Sequence, residues 1–208
     1  MDFIDQVREL AGRALDLKDV LETEEATKNA LIMPFIQLLG YEVFNPREVV
    51  PEFTADIGTK KGEKVDYAIM QDGEPIILVE CKTAGVNLDK THASQLYRYF
   101  SVVEARFGVL TNGILWQFYT DLDAANKMDE KPFLEFDLLD IRESLVEELK
   151  KFTKGTFDVE SILSRANELK YTREIKRVLA AQYEAPSEDF VRFWLNDIYT
   201  GVKTQNII

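Results

Sequence analysis

The stretch VDYAIMQDGEPIILVECK, residues 65–82, constrains this chain more than any other. It reads as two strands joined by a turn at Asp72–Glu74, and the PIILV run in the second strand is apolar at successive positions instead of alternating. A strand of that kind is buried and belongs inside a covered sheet. At its end stand Glu80 and Lys82, charges where burial calls for apolar side chains. Side chains alternate across a strand, so Glu80 and Lys82 project from one face while Val79 and Cys81 point into the other. Whether Asp66 joins them depends on the hairpin register. An odd loop such as Asp72–Glu74 sets Asp66 opposite Glu80, whereas a two-residue loop moves it to the other face. The odd loop is predicted.

The surrounding sequence supplies the cover. From Asp2 to about Leu21, residues Phe3, Val7, Leu10, Ala14, Leu17 and Leu21 recur at helical spacing. Thr23 followed by Glu24 and Glu25 reads as an N-cap with acids in the first turn of a second helix, which Pro34 kinks and Gly40 stops. Extended pieces are predicted over Glu42–Phe44, Val49–Ile57, Lys64–Met70 and Pro75–Cys81, with a further turn at Gly58–Gly62. A helix is predicted from Leu88 to Ala105, then a hairpin of Phe107–Leu110 and Ile114–Tyr119 around Thr111, Asn112 and Gly113. A short strand, Phe133–Phe136, precedes a helix from Leu139 to Phe152. The class is α/β: a mixed sheet flanked by helices. KGTFD, Lys154–Asp158, marks a boundary between residues 1–153 and a small helical extension, 154–208. In that extension Val159–Leu169, Thr172–Ala181 and Glu188–Tyr199 read as helices. The final GVKTQNII carries no stop signal, so the chain is expected to be a fragment of a longer protein.

Composition narrows the chemistry. Hydrophobic residues at 46% and charged residues at 30% suit a globular domain with a proper core. No apolar run approaches the roughly 18 residues a membrane helix needs, and MDFIDQVREL is acidic and unlike a secretory signal. A cytoplasmic location away from membranes is expected. One cysteine and one histidine exclude an internal disulfide and a His/Cys-rich zinc site, so any metal must be held by oxygens. A net charge of −12 opposes electrostatic coating of nucleic acid. The acid excess is regional, however: residues 60–106 carry seven basic and seven acidic side chains, leaving room for a local basic groove.

Two carboxylates that converge without a cation repel each other and raise one pKa. A divalent ion is the simplest remedy, and oxygen-only ligands favour Mg²⁺ or Mn²⁺, with substrate phosphate completing the shell. Such an ion polarises a phosphoryl oxygen and activates water, while Lys82 can orient that water or stabilise developing negative charge. Asp66, Glu80 and Lys82 are therefore suited to phosphodiester hydrolysis. The plainer alternative is a solvated face or a cross-strand ion pair. Glu80 at the end of a buried strand weighs towards the site.

VDYAIM followed by ILVECK resembles the bipartite motif of the PD-(D/E)xK nuclease superfamily, with Asp66, Glu80 and Lys82 in the matching positions and Val65 in place of the motif's proline. Gln95 and Tyr99 in QLYRY resemble the QxxxY motif of the N-terminal nuclease domain of the type I restriction motor (R) subunit. The likeness extends over TEEATKNALIMPFIQLLGYEVFNP, the ECK strand, QLYRYF and FGVLTNGILWQFYT, about residues 22–140. It implies a restriction-endonuclease-like fold and Mg²⁺-dependent DNA cleavage in restriction or phage defence. Asp66 and Glu80 would be metal ligands, Lys82 the catalytic lysine, and Gln95 and Tyr99 would position DNA or support the catalytic residues. A helix glutamate often completes such a site, and Glu24 is favoured over Glu25. Implied partners are DNA and the motor and methyltransferase subunits of a restriction system, with homo-oligomerisation a further option.

Other features read more plainly. Lys60, Lys61 and Lys64 could touch phosphates, but a lysine-rich turn is usually just solvated. GTKKGEK has too short a gap for a P-loop, so ATP hydrolysis is unsupported. His92, on the helix before Gln95, could face the site, though a lone histidine is more often incidental. Cys81 reads as a buried core residue, and Tyr97, Phe100, Trp116, Phe118 and Trp194 as filling core or interface. The rival to a nuclease is an inactive nuclease-fold scaffold that binds DNA or a protein, which the acidic charge favours. A small-phosphoester hydrolase using the same residues ranks third.

Overall fold

The computed structural model describes residues 2–54, 64–199 and 201. Its centre is a six-stranded sheet in which spatial order follows chain order: β1 (Val49–Thr54), β2 (Lys64–Gln71), β3 (Glu74–Cys81), β4 (Phe107–Thr111), β5 (Leu115–Tyr119) and β6 (Leu134–Asp137). All neighbours are antiparallel except β3 and β4, which run parallel. The β3–β4 crossover contains α4 (Lys90–Phe100), as a parallel connection requires.

Both faces are covered, as the continuous PIILV run demands. On one face, Ile69, Ile77, Val79, Val109, Trp116 and Phe118 meet Phe35, Ile36, Leu39 and Phe152 from the helical side. Phe35 and Trp116 stack with ring centres 3.7 Å apart. On the other, Ala93, Leu96, Tyr99 and Phe100 of α4 pack on Ala68, Leu78 and Leu110. The remaining helices of this unit are α1 (Phe3–Leu17), α2 (Glu24–Thr27), α3 (Met33–Leu38) and α5 (Glu143–Lys150). The architecture is α/β and restriction-endonuclease-like, a mixed sheet flanked by helices and followed by a helical part.

Local differences from expectation have local causes. Residues 28–32 form a π-helical turn between α2 and α3. Pro34 cannot donate the helical bond to Ala30, so the ladder yields just before it, widening instead of simply bending. Glu42–Phe44 is not a strand: Asn45 N–H donates to the Glu42 carbonyl and its side chain engages Glu42 and Arg47, folding the segment into turns. The first helix stops at Leu17, α4 is capped at Asp89 and stops at Phe100, and α5 starts only at Glu143. The two helices expected over 159–181 are one, α6 (Val159–Glu184), because Lys170 and Tyr171 do not break a helix.

The chain divides into two compact units, Met1–Ala166 and Asn167–Ile208. Within the first, Ile162 and Ala166 of α6 are buried. The second contains the rest of α6 and α7 (Glu188–Ile198), which starts at Ser187, whose hydroxyl accepts from Phe190 N–H. No residue of α7 is buried. The expected turn at Gly58–Gly62, the end of the extended piece at Ile57, and all but Gly201 of GVKTQNII lie outside the described residues. No helix among the described residues is long and apolar enough to cross a membrane.

Candidate active site

The site lies at the open end of the β2–β3 hairpin. The hairpin turn is not the odd loop expected: Gln71 pairs with Glu74, leaving the two-residue loop Asp72–Gly73 with φ of 54° and 88°. Asp-Gly with positive φ at both positions is the turn whose twist suits a hairpin. Alone, it would put Asp66 on the wrong face. A β-bulge corrects this, since Met70 pairs with Pro75 and Ile69 with Ile77, so Ile76 is an extra residue. The register then runs through Tyr67 and Val79 and sets Asp66 against Glu80.

Four charged side chains meet there, and a fifth adjoins them. Asp66 Oδ2 accepts from the backbone N–H of Cys81 at 2.7 Å, tying the carboxylate to β3. Its Oδ1 accepts from Lys28 Nζ at 2.5 Å, and that ammonium also reaches Glu24 Oε1 at 2.9 Å. Glu80 Oε1 accepts from Lys82 Nζ at 2.6 Å. Glu80 is 3% exposed, and its Oε2 has no hydrogen-bond partner. A buried carboxylate oxygen left without a donor is costly unless a proton or a cation meets it. Such an oxygen, beside a second carboxylate, is the donor set a hard divalent ion would use. Among the described residues, no three carboxylate, histidine or cysteine groups converge as a metal cage.

The electrostatics follow from burial. Burial pushes the Glu80 carboxyl up to about 7, with the Asp66 charge adding to it and the Lys82 hydrogen bond opposing. Burial works against the charged form of Lys82, but its bond to Glu80 prevails and holds its pKa above the ordinary value. Lys28 behaves in the same way: burial would lower its pKa, and hydrogen bonds to Asp66 and Glu24 raise it instead.

Several local contacts hold these groups in place. The Thr23 hydroxyl caps α2 by accepting from Ala26 N–H. One turn on, the buried Thr27 hydroxyl donates to the Thr23 carbonyl and accepts from Ala84 N–H, pinning α2 to the segment just after Lys82. Gly113, with φ of 80°, lets the β4–β5 turn lie against that helix, since a Cβ there would come within 3.0 Å of Leu31 and Thr27. Lys82 N–H donates to the Thr111 carbonyl, so the β3 end is also held from β4. Gln95 donates its side-chain amide to the Lys64 carbonyl, two residues before Asp66. Tyr99 is fully buried in the α4 core cluster with Val65 and Ala68. Gln95 is thus tied to β2, and Tyr99 is buried against it.

Of the two helix acids, Glu24 faces the site through Lys28, whereas Glu25 accepts from Asn29 on the exposed side. Lys28 escaped the sequence reading. Its signal was present: it follows Glu24 by four positions, the spacing of a helical ion pair. Lys64 pairs with Glu52 at 2.6 Å on the exposed surface, and Lys60 and Lys61 lie outside the described residues. The His92 ring accepts from Asp89 N–H and completes a helix cap. Cys81 is buried, and burial pushes its thiol well above the usual range. Phe100, Trp116 and Phe118 are core, and Tyr97 donates to the Asp129 carbonyl. Trp194 is 51% exposed beside Phe190 and Phe193, so it is not core.

No curated protein and no solved structure matches the chain. The family described as Type I restriction enzyme R protein N terminus matches residues 23–132, more than half of the chain. That span contains α2, the π-helical turn, the β2–β3 hairpin and α4. A chain that shares with these N-terminal regions the whole stretch supplying Glu24, Lys28, Asp66, Glu80, Lys82, Gln95 and Tyr99 belongs to the type I restriction enzyme R protein N-terminal family.

Proposed function

We propose that this chain is a Mg²⁺- or Mn²⁺-dependent DNA endonuclease, cytoplasmic, acting in restriction beside motor and methyltransferase subunits. One observation carries the reading: the buried, unpartnered Oε2 of Glu80 beside Asp66 and Lys82. A scaffold has no use for that arrangement, because an uncompensated buried carboxylate lowers stability.

Asp66 and Glu80 are the residues that would hold the ion, with Glu24 as a further carboxylate. When bound, it supplies Lewis-acid polarisation of a phosphoryl oxygen and lowers the pKa of attacking water. Lys82 stays charged at neutral pH through its pairing with Glu80, and its ammonium is placed to offset the charge that grows on the phosphate as the water oxygen attacks. The Cys81 N–H keeps Asp66 oriented, so the carboxylate is aimed before substrate arrives. Gln95 and Tyr99 act as positioning residues for β2.

A second reading, an inactive scaffold for DNA or a protein, draws on the net charge of −12. Purified protein incubated with plasmid or linear single-stranded DNA, in Mg²⁺, Mn²⁺ or EDTA, separates the two. The nuclease reading expects nicking that needs the metal and falls at least about a hundredfold in Asp66→Ala and Lys82→Ala. Equal nicking by wild type and Asp66→Ala, or none under any condition, sinks it.

A further inference from the structure

We propose that Lys28 is a built-in counter-cation that competes with the divalent ion for Asp66, so that metal enters only by displacing its ammonium. The inference rests on the metal-site reading above. The oxygens decide it. Asp66 Oδ2 is committed to Cys81 N–H and Glu80 Oε1 to Lys82, which leaves Asp66 Oδ1 and Glu80 Oε2 as the pair for a ligand. Glu80 Oε2 is free, and Lys28 Nζ stands 2.5 Å from Asp66 Oδ1. A hard ion binds carboxylate oxygen at about 2.1 Å, and an ammonium already on that oxygen stands in its way.

The ammonium is placed there by construction and is not a stray surface charge. Its side chain is 14% exposed, and its second bond is to Glu24, the remaining carboxylate of the site. Lys28 directly follows α2, and its neighbour Thr27 anchors that helix to Ala84. Here one protein cation bridges both carboxylates, and the metal must replace it.

The test is metal affinity in the absence of DNA. Isothermal calorimetry with Mn²⁺ should show Lys28→Met binding about tenfold or more tighter than wild type, a typical strength for coupling between two bound charges. Lys28→Arg, which keeps the charge, should stay near wild type. Equal affinity in wild type and Lys28→Met, or weaker binding by Lys28→Met, overturns the inference alone. No binding by any of these proteins overturns the metal reading with it. Wild-type protein gives an independent readout should Lys28→Met fail to fold. In ¹⁵N spectra of lysine ammonium groups, the slowly exchanging Lys28 signal should vanish as Mg²⁺ saturates the site, and its persistence at saturation would count against displacement.

Discussion

The two ends of the β2–β3 hairpin obey different rules. At the closed end, Asp72 and Gly73 adopt the backbone that their own chemistry favours, exposed and free of tertiary contacts at the missing Cβ. At the open end, Asp66, Lys82 and Lys28 are drawn into buried ion pairs, and Glu80 is held against its preference for water with one carboxylate oxygen lacking a partner. Local sequence determines the first end and the whole fold determines the second. Conflict between the two levels is the ordinary signature of a functional site.

The largest stability effect expected from that contrast is at Glu80. Its carboxyl titrates near 7 in the folded protein and at the ordinary 4.5 when unfolded. Between those values the folded state keeps a proton that the unfolded state has released, so stability falls as pH rises from 4.5 to 7 and the loss is complete above it. Glu80→Gln mimics the protonated form. In EDTA it should be more stable than wild type at pH 8 by up to about 3 kcal/mol, with the gain fading towards pH 4.5. Urea melts at several pH values measure this. A constant difference across that range would mean that the carboxyl is not strained by burial. The same variant should cleave no DNA.

What could be read from sequence tracks how local each cause is. The Thr23 cap, the hairpin around Asn112 and Gly113, and the α4 stripe depend on neighbours within one turn, and all were readable. Asp66, Glu80 and Lys82 were readable as candidates, but their meeting depended on a bulge that no composition rule announces. Lys28 was legible only as the i+4 partner of Glu24, because its reach to Asp66 needs a helix and a hairpin remote in sequence to meet. Trp194 was readable as apolar, and the choice between core and interface depended on packing that its own sequence neighbours do not announce.

The closed end predicts a smaller effect of a different kind. An alanine at Gly73 would clash with nothing, yet φ of 88° is strained for any residue with a Cβ. Gly73→Ala should cost about 1–2 kcal/mol at every pH, with metal affinity unchanged. A pH-dependent loss there would mean that the two ends of the hairpin are coupled.

The smallest effect should come from deleting Ile76, the residue that a casual reading would expect to matter most. Without it, Gln71 still faces Glu74 and Met70 still faces Pro75, and Ile69 then meets Ile77 with no bulge between. Asp66 therefore remains opposite Glu80, whereas a one-residue slip elsewhere in β3 would turn every side chain to the other face. Ile76 is only half-buried, so little core is lost. The deletion variant should melt within about 1 kcal/mol of wild type and keep its metal affinity. If it folds but binds no metal, the bulge contributes local twist at the site as well as register, and the open end is then built by strand curvature as much as by pairing.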